Sequence, residues 1–280
     1  MIAQRSLSLL SNRLAKAGGR RIPESVLERD YCLAWFLTAL SRKKLGQILV
    51  FKGGTALKRC YFGDYRFSED LDFTLTQETT FENILRELDP VFAEIQKASG
   101  MAFHYAREDR HGHTNTHTFY IGYEGPLPAT AAGKEVKVDI TVREKIVFPI
   151  ESRAVLRGYD EYADLPANAK ILVYSLDEIA AEKVIALLDP ARNEPRDLYD
   201  IWYLVTANHV DLSSLPDAIG KKLESRGRKL TNANAKFREK ESRLKKLWQT
   251  RLSAQVASLP EYDEVYRLVR RAVRQAGLSN

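Results

Sequence analysis

Residues 52–73 read KGGTALKRCYFGDYRFSEDLDF: a Gly-Gly turn, a short helical stretch, then Asp70 and Asp72 one residue apart in an apolar run. On a β-strand the period of two puts both aspartates on one face, roughly 7 Å apart along the backbone and within reach of one cation. Two like charges side by side resist burial unless something positive neutralises them. A hard divalent cation does this. Mg2+ takes one or two carboxylates, several waters and the phosphate oxygens of a substrate, so an open Asp-x-Asp edge suits a nucleotide-bound metal better than a permanent protein cage. Two such ions about 4 Å apart would stabilise the attacking and leaving oxygens of an in-line displacement. Gly53 and Gly54 carry no Cβ, so their amides can approach a phosphate closely, and Thr55 offers a hydroxyl at the favourable end of the following helix. A bare Gly-Gly turn or a solvated strand edge would each be commonplace; the two at this spacing point to phosphate and metal.

The elements that must hold these residues can be outlined from periodicity. The patterns predict helices at about 24–41, 54–62, 79–99, 176–188, 196–208, 212–225, 232–255 and 261–276, and strands near 47–52, 70–76, 101–106, 115–123, 135–148 and 171–174. In KEVKVDITVREKIVF at 134–148, Val136, Val138, Ile140 and Val142 alternate with Lys137, Asp139, Thr141 and Arg143, the pattern of a half-buried strand with Asp139 on its polar face. Asp139 is then either a third carboxylate for the site or a partner that offsets Lys137 and Arg143. Strands concentrate in the first 175 residues and helices dominate after them. The expected fold is an α/β (α+β) N-terminal lobe with a mixed sheet, over residues 1–160, plus a mostly helical C-terminal lobe over 161–280. The boundary falls in the polar stretch around 152–170, with the active site in the cleft between the lobes.

GGTALK followed by YRFSEDLDF resembles the first motif of the AbiEii-like nucleotidyltransferase toxins, of the DNA polymerase β-type nucleotidyltransferase superfamily, which include the MenT-type toxins of toxin–antitoxin and abortive-infection systems. Arg66, Phe67, Ser68 and Glu69 narrow that likeness. Residues 176–204, LDEIAAEKVIALLDPARNEPRDLYDIWYL, are similar to a second block of the family: a lysine on a helix, a basic break, then Arg-Asp-x-x-Asp opening another helix. The resemblance implies that Gly53, Gly54, Thr55, Arg66, Ser68 and Lys183 handle an NTP. It also implies that Asp70, Asp72 and Asp139 bind Mg2+ (or Mn2+), and that Asp197 and Asp200 contribute to the active site. From the residues alone, Arg196 can pair with Asp200 across one helical turn while Leu198, Ile201, Trp202 and Val205 face the core. A capped, salt-bridged helix start gives the same pattern, and Lys183 could equally be an ordinary solvated lysine.

The chain of 280 residues, 44% hydrophobic, is long enough for one large or two modest domains. It has no apolar run of membrane-spanning length and no secretory leader pattern, so a cytoplasmic location and no membrane are expected. Cys32 and Cys60, in apolar helical surroundings, read as reduced structural thiols. The net charge of +6 is local: residues 220–251 carry twelve Lys/Arg against three Asp/Glu, leaving the remainder negative. That segment could line a surface for a phosphate backbone or be a solvated basic face, and Phe237 and Trp248 within it read as core rather than base-stacking platforms. His111, His113 and His117 in HGHTNTH have spacings a transition metal could use, although the composition reads as a hairpin turn. A phosphate on Ser68 would add charge beside the proposed metal site.

The reading implied is a toxin that moves an NMP from an NTP to RNA, at the tRNA 3′ acceptor end, blocking aminoacylation and translation, with an antitoxin (AbiEi-like or other) as partner. Transfer to a protein or small-molecule hydroxyl, or a non-catalytic RNA- or partner-binding role on the same fold, are the alternatives.

Overall fold

The computed structural model describes residues 1–17, 19–109, 115–229 and 233–278. The chain divides into two compact units, one of Met1–Arg143 with Ile150–Val173 and one of Glu144–Pro149 with Tyr174–Asn280. It is a mixed α/β fold, and no helix among the described residues is long and apolar enough to cross a membrane.

The first unit opens with α1 (Gln4–Lys16) and α2 (Glu24–Leu40). The second of these is buried almost all round from Tyr31 to Leu40 and so forms a central layer rather than an amphipathic cover. A single turn, α3 (Leu45–Ile48), leads into β1 (Leu49–Lys52), which passes directly into α4 (Gly53–Ala56) and a π-helical turn at Leu57–Tyr61. Then follow β2 (Leu71–Leu75), α5 (Phe81–Ser99), β3 (Ala102–Glu108), β4 (Thr116–Glu124), β5 (Glu135–Thr141), β6 (Ile150–Ala154) and β7 (Lys170–Tyr174). The long α5 is bounded by recognisable signals: the Thr80 side chain accepts from the Asn83 amide, and Gly100 ends the helix in the left-handed region.

Seven strands form one mixed sheet in the order β3-β4-β5-β2-β1-β7-β6. β1 pairs antiparallel with β2, β2 parallel with β5, and β1 parallel with β7. Val136, Val138 and Ile140 of β5 are buried while Lys137, Asp139 and Thr141 stay half-exposed, as the alternation predicts. Phe51 and Phe73 face each other across β1 and β2 with ring centroids 5.2 Å apart.

The second unit comprises α6 (Leu176–Leu188), α7 (Pro195–Thr206), a 3-10 turn at Leu212–Ser214, α8 (Pro216–Ser225), α9 (Ala233–Glu239), α10 (Glu241–Leu252) and α11 (Tyr262–Gln275). Ser175 caps α6 by accepting from the Glu178 amide, and Pro195 occupies the first turn of α7, where its missing N–H is harmless. Phe237 and Trp248 are buried core residues. Several elements differ from expectation. α1 and β6 were not anticipated, the strand expected over 135–148 stops at Thr141, and the single helix expected over 232–255 is two helices meeting at Lys240. The first two histidines of HGHTNTH lie outside the described residues; His117 stacks on Phe81 at 5.0 Å.

Candidate active site

At the end of β1 the chain turns through Gly53, whose φ of +78° suits glycine. A Cβ there would stand 2.4 Å from Asp72 Oδ2, and one at Gly54 would stand 2.6 Å from an Arg66 guanidinium nitrogen and 3.2 Å from Ser68 Oγ. The absence of side chains at both positions thus lets Asp72, Arg66 and Ser68 close onto the turn. Thr55 is buried and its hydroxyl donates to the Asp70 carbonyl, so it fixes the start of the Asp-x-Asp segment against the turn. Arg66 is itself buried and also donates to the Phe67 carbonyl at 3.2 Å.

Sheet register brings the acids together. Lys52 lies opposite Asp72 across β1 and β2, and Asp72 lies opposite Asp139 across β2 and β5. Asp139 accepts from Thr118 Oγ1 at 2.6 Å and from Lys137 Nζ at 2.7 Å, and Lys52 Nζ donates to Thr141 Oγ1 at 3.0 Å. Burial tends to lower the pKa of Lys137, but Asp139, Asp70 and Asp72 together hold it above the ordinary lysine value. All three carboxylates therefore act on one ammonium. Lys137 is a residue that the reading of the sequence did not place in the site, although its position two residues before Asp139 puts both on the same strand face. The pairing of Asp139 with Lys137 is the offset weighed from the sequence, and it occurs inside the acid cluster rather than away from it.

Hard oxygen donors side by side on β2 and β5, two central strands of the sheet, suit a divalent cation. Among the described residues no three His, Cys, Asp or Glu side chains converge into a preformed cage. Asp70 and Asp72 with a substrate's phosphate oxygens form the kind of donor set Mg2+ prefers.

Behind the turn, Lys58 is buried and bridges the segments on either side of the motif. Its Nζ donates to the Gly63 and Tyr65 carbonyls and to the Tyr159 hydroxyl, at 3.1, 3.0 and 3.2 Å, and lies 4.2 Å from the Phe67 ring centroid. Burial lowers its pKa to about 8. Arg59 pairs with Asp30 in the interior and donates to the Leu156 and Arg157 carbonyls. The loop carrying Arg66 and Ser68 is thereby tied to the π-helical turn and to the 156–159 segment.

The second block lies in the helical unit. Lys183 Nζ contacts Asp197 Oδ1 at 2.9 Å and Asp200 Oδ2 at 2.7 Å, and Arg192 Nε contacts Asp197 Oδ2 at 2.6 Å. Both aspartates are buried. Burial alone would raise Asp197, but Lys183 and Arg192 more than offset it and hold the carboxyl below its ordinary range. Arg196 pairs with Glu194 at 3.4 Å rather than with Asp200, and Trp202 and Val205 are only half-buried, with Leu204 taking the core position. The pairing differs because Lys183, reaching over from α6, reaches Asp200 from the buried side.

Part of the basic segment is engaged internally. Lys222 is fully buried against Glu178 at 2.5 Å and Glu144 and Glu182 at 3.3 Å. Arg226 reaches Glu144, Arg228 reaches Asp189 and Lys245 reaches Asp263, each at 2.8 Å. Lys240 is buried and donates to the Leu187 and Asp189 carbonyls at the end of α6. Lys222 and Lys240 are thus structural and cannot line a surface. Lys221, Arg226, Arg228, Lys229, Arg238, Arg243, Lys245, Lys246 and Arg251 remain exposed.

Compared with known proteins, residues 35–272 match the family model described as nucleotidyl transferase AbiEii toxin, type IV toxin–antitoxin system. A crystal structure from H. pylori assigned as a nucleotidyltransferase superposes with a TM-score of 0.52 at 17% identity, covering 91% of this chain and 96% of the other. The MenT4 nucleotidyltransferase toxin of Mycobacterium tuberculosis gives a TM-score of 0.48 at 20% identity, covering 94% and 99%. Comparison with curated protein sequences gives no match.

Proposed function

Because this chain belongs to the AbiEii family of nucleotidyltransferase toxins of type IV toxin–antitoxin systems, we propose that it transfers an NMP from an NTP to the 3′ acceptor end of tRNA, with release of pyrophosphate. The observation that supports this reading is the register that sets Asp72 opposite Asp139 across β2 and β5, beside a turn that ties Asp70 to Thr55 and leaves no room for a Cβ. Asp70 and Asp72, with the substrate's phosphate oxygens and with Asp139 on the neighbouring strand, would hold Mg2+ or Mn2+, which when bound neutralises triphosphate charge and polarises the reacting oxygens. Gly53 and Gly54 let the backbone approach the phosphates, and Arg66 and Ser68 close the cradle from its far side. Thr55 keeps Asp70 in place. Thr118 and Lys137 fix the Asp139 carboxylate so that it can orient the attacking hydroxyl. Lys183 is the triphosphate lysine of this reading, and Asp197 and Asp200 are its positioning partners. Catalysis of this kind rests on positioning and charge neutralisation rather than covalent chemistry. A modified acceptor end would stop aminoacylation in the cytoplasm, and a cognate antitoxin would restrain the enzyme.

The test is incubation of the purified protein with Mg2+, each labelled NTP in turn and total bacterial RNA, with Asp72→Ala as control. Label in tRNA-sized RNA that requires the intact aspartate is the expected result and names the nucleotide. Label on protein, or none, would move the assignment to protein modification or to a binding role.

A further inference from the structure

Helix α11 sorts its residues cleanly. Tyr262, Val265, Tyr266, Val269 and Val273 are buried, while Arg267, Arg271 and Arg274 are exposed and Arg270 is half-buried. At about 100° per residue, the four arginines fall within an arc of about 100°, and at a rise of about 1.5 Å per residue Arg267 and Arg274 stand about 10 Å apart along the axis. No acidic residue follows Glu264 in the sequence, and of the two acids in the first turn Asp263 is already held by Lys245 at 2.8 Å. Arg267 leans back onto the Asp263 carbonyl at 3.1 Å, which orders its guanidinium along the face. Arg238 of α9, itself exposed, lies near the same part of the helix: it and Arg270 flank the hydroxyl of the buried Tyr266, where Glu241 of α10 also stands.

We infer that this arginine face of α11, continued by Arg238, is where the helical unit grips the sugar-phosphate backbone of RNA. The inference rests on the RNA-acceptor reading above and assigns its surface to residues outside the 220–251 segment, apart from Arg238. Charge complementarity selects the occupant. Guanidinium groups repeated along one helix face, with no carboxylate between Arg267 and Arg274 on that helix, present a row of forked donors to a row of phosphates. An acidic protein would meet the same charge, and the experiment separates the two.

Arg267, Arg271 and Arg274 are changed together to Glu, and in a second variant to Gln. A control takes Arg5, Lys16 and Arg20, exposed residues of the other unit, to Glu. Affinity for 5′-labelled total bacterial tRNA is measured across a salt series, with thermal stabilisation by Mg2+ and NTP recorded in parallel. Each phosphate contact contributes about 0.7–0.9 to the slope of log affinity against log salt, so losing three arginines lowers the slope by about 2 and weakens binding by about tenfold or more at low salt. NTP stabilisation stays at the wild-type value, and the control shifts the slope by less than about 1. Wild-type slope and affinity in the Gln variant, or an equal loss in the control, would overturn the assignment. If the wild-type protein neither binds nor labels tRNA, the RNA reading fails first and this surface with it. If tRNA binding survives in both variants but a coexpressed antitoxin no longer copurifies, the face belongs to a protein and the inference is wrong.

Discussion

At Gly53 a single methyl group would collide with a carboxylate of the candidate site. Alanine there would have to adopt a positive φ and place its Cβ 2.4 Å from Asp72 Oδ2, costing about 1–2 kcal/mol in backbone terms and displacing the carboxylate as well. Gly53→Ala should remain folded by circular dichroism and lose about 100-fold or more in transfer rate, the scale on which small misplacements act. A rate within a factor of about three of wild type would remove Asp72 from its inferred place. At Asp197 the physics is electrostatic. Its carboxyl is held below the ordinary value of 3.8, despite burial, by Lys183 and Arg192. The stabilisation is complete above that ordinary value and is lost as pH falls through the lower folded-state value. Asp197→Asn should therefore destabilise the protein at pH 7, by ~3 kcal/mol, and its stability should fall less steeply with acid than that of the wild type. Urea melts at pH 7 and at pH 3 check both expectations.

At the scale of elements, legibility followed locality. α6 begins at a Ser cap and runs over the 176–188 read from the sequence, because its signals lie within a few residues of one another. The end of β5 could not be read that way. The apolar spacing continues past Thr141, but the amides of Val147 and Phe148 donate to Glu178, 31 and 30 residues away, and Glu144 turns inward to Lys222. A distant glutamate takes the donors that a strand would have offered to a neighbour. The break between α9 and α10 has a similar origin, since Lys240 is drawn inward to the carbonyls ending α6. Lys222 shows why charge counting overestimated the basic surface: its partners Glu178 and Glu144 lie 44 and 78 residues away. Burial tends to lower its pKa, and Glu182, Glu178 and Glu144 reverse that. Lys222→Met would leave the buried Glu178 carboxylate without its cation and should cost about 3–5 kcal/mol, read as a drop in the urea midpoint with an unchanged slope.

Across the whole molecule, the α/β class was accessible from the periodicity of the chain and a candidate site from residues 52–73, whereas the strand order was not. That Asp139 would neighbour the Asp-x-Asp strand came only with the family resemblance. The observed register, Asp72 opposite Asp139 in a parallel pair, depends on chain crossing 67 residues, which no local pattern encodes. A site assembled from strands so far apart in sequence couples occupancy to global stability. Mg2+ with the preferred NTP at a hundred times its dissociation constant should add about 2.7 kcal/mol, seen as a higher midpoint in a thermal scan. Asp72→Ala should abolish that gain, and a gain that persists in the variant would place nucleotide binding elsewhere.

The two cysteines are both buried, and both belong to the sheet-bearing unit. Cys60 sits in the π-helical turn directly behind the cradle, where burial carries its thiol to about 12, and Cys32 lies in α2, its thiol likewise raised by burial. Held in the thiol form and out of solvent, neither is reactive in the closed protein, since the thiolate is the nucleophile. Alkylation must wait for the surrounding chain to part, so its rate becomes a stopwatch on breathing motions of the sheet unit alone. The helical unit, without a sulfhydryl of its own, leaves that record untouched.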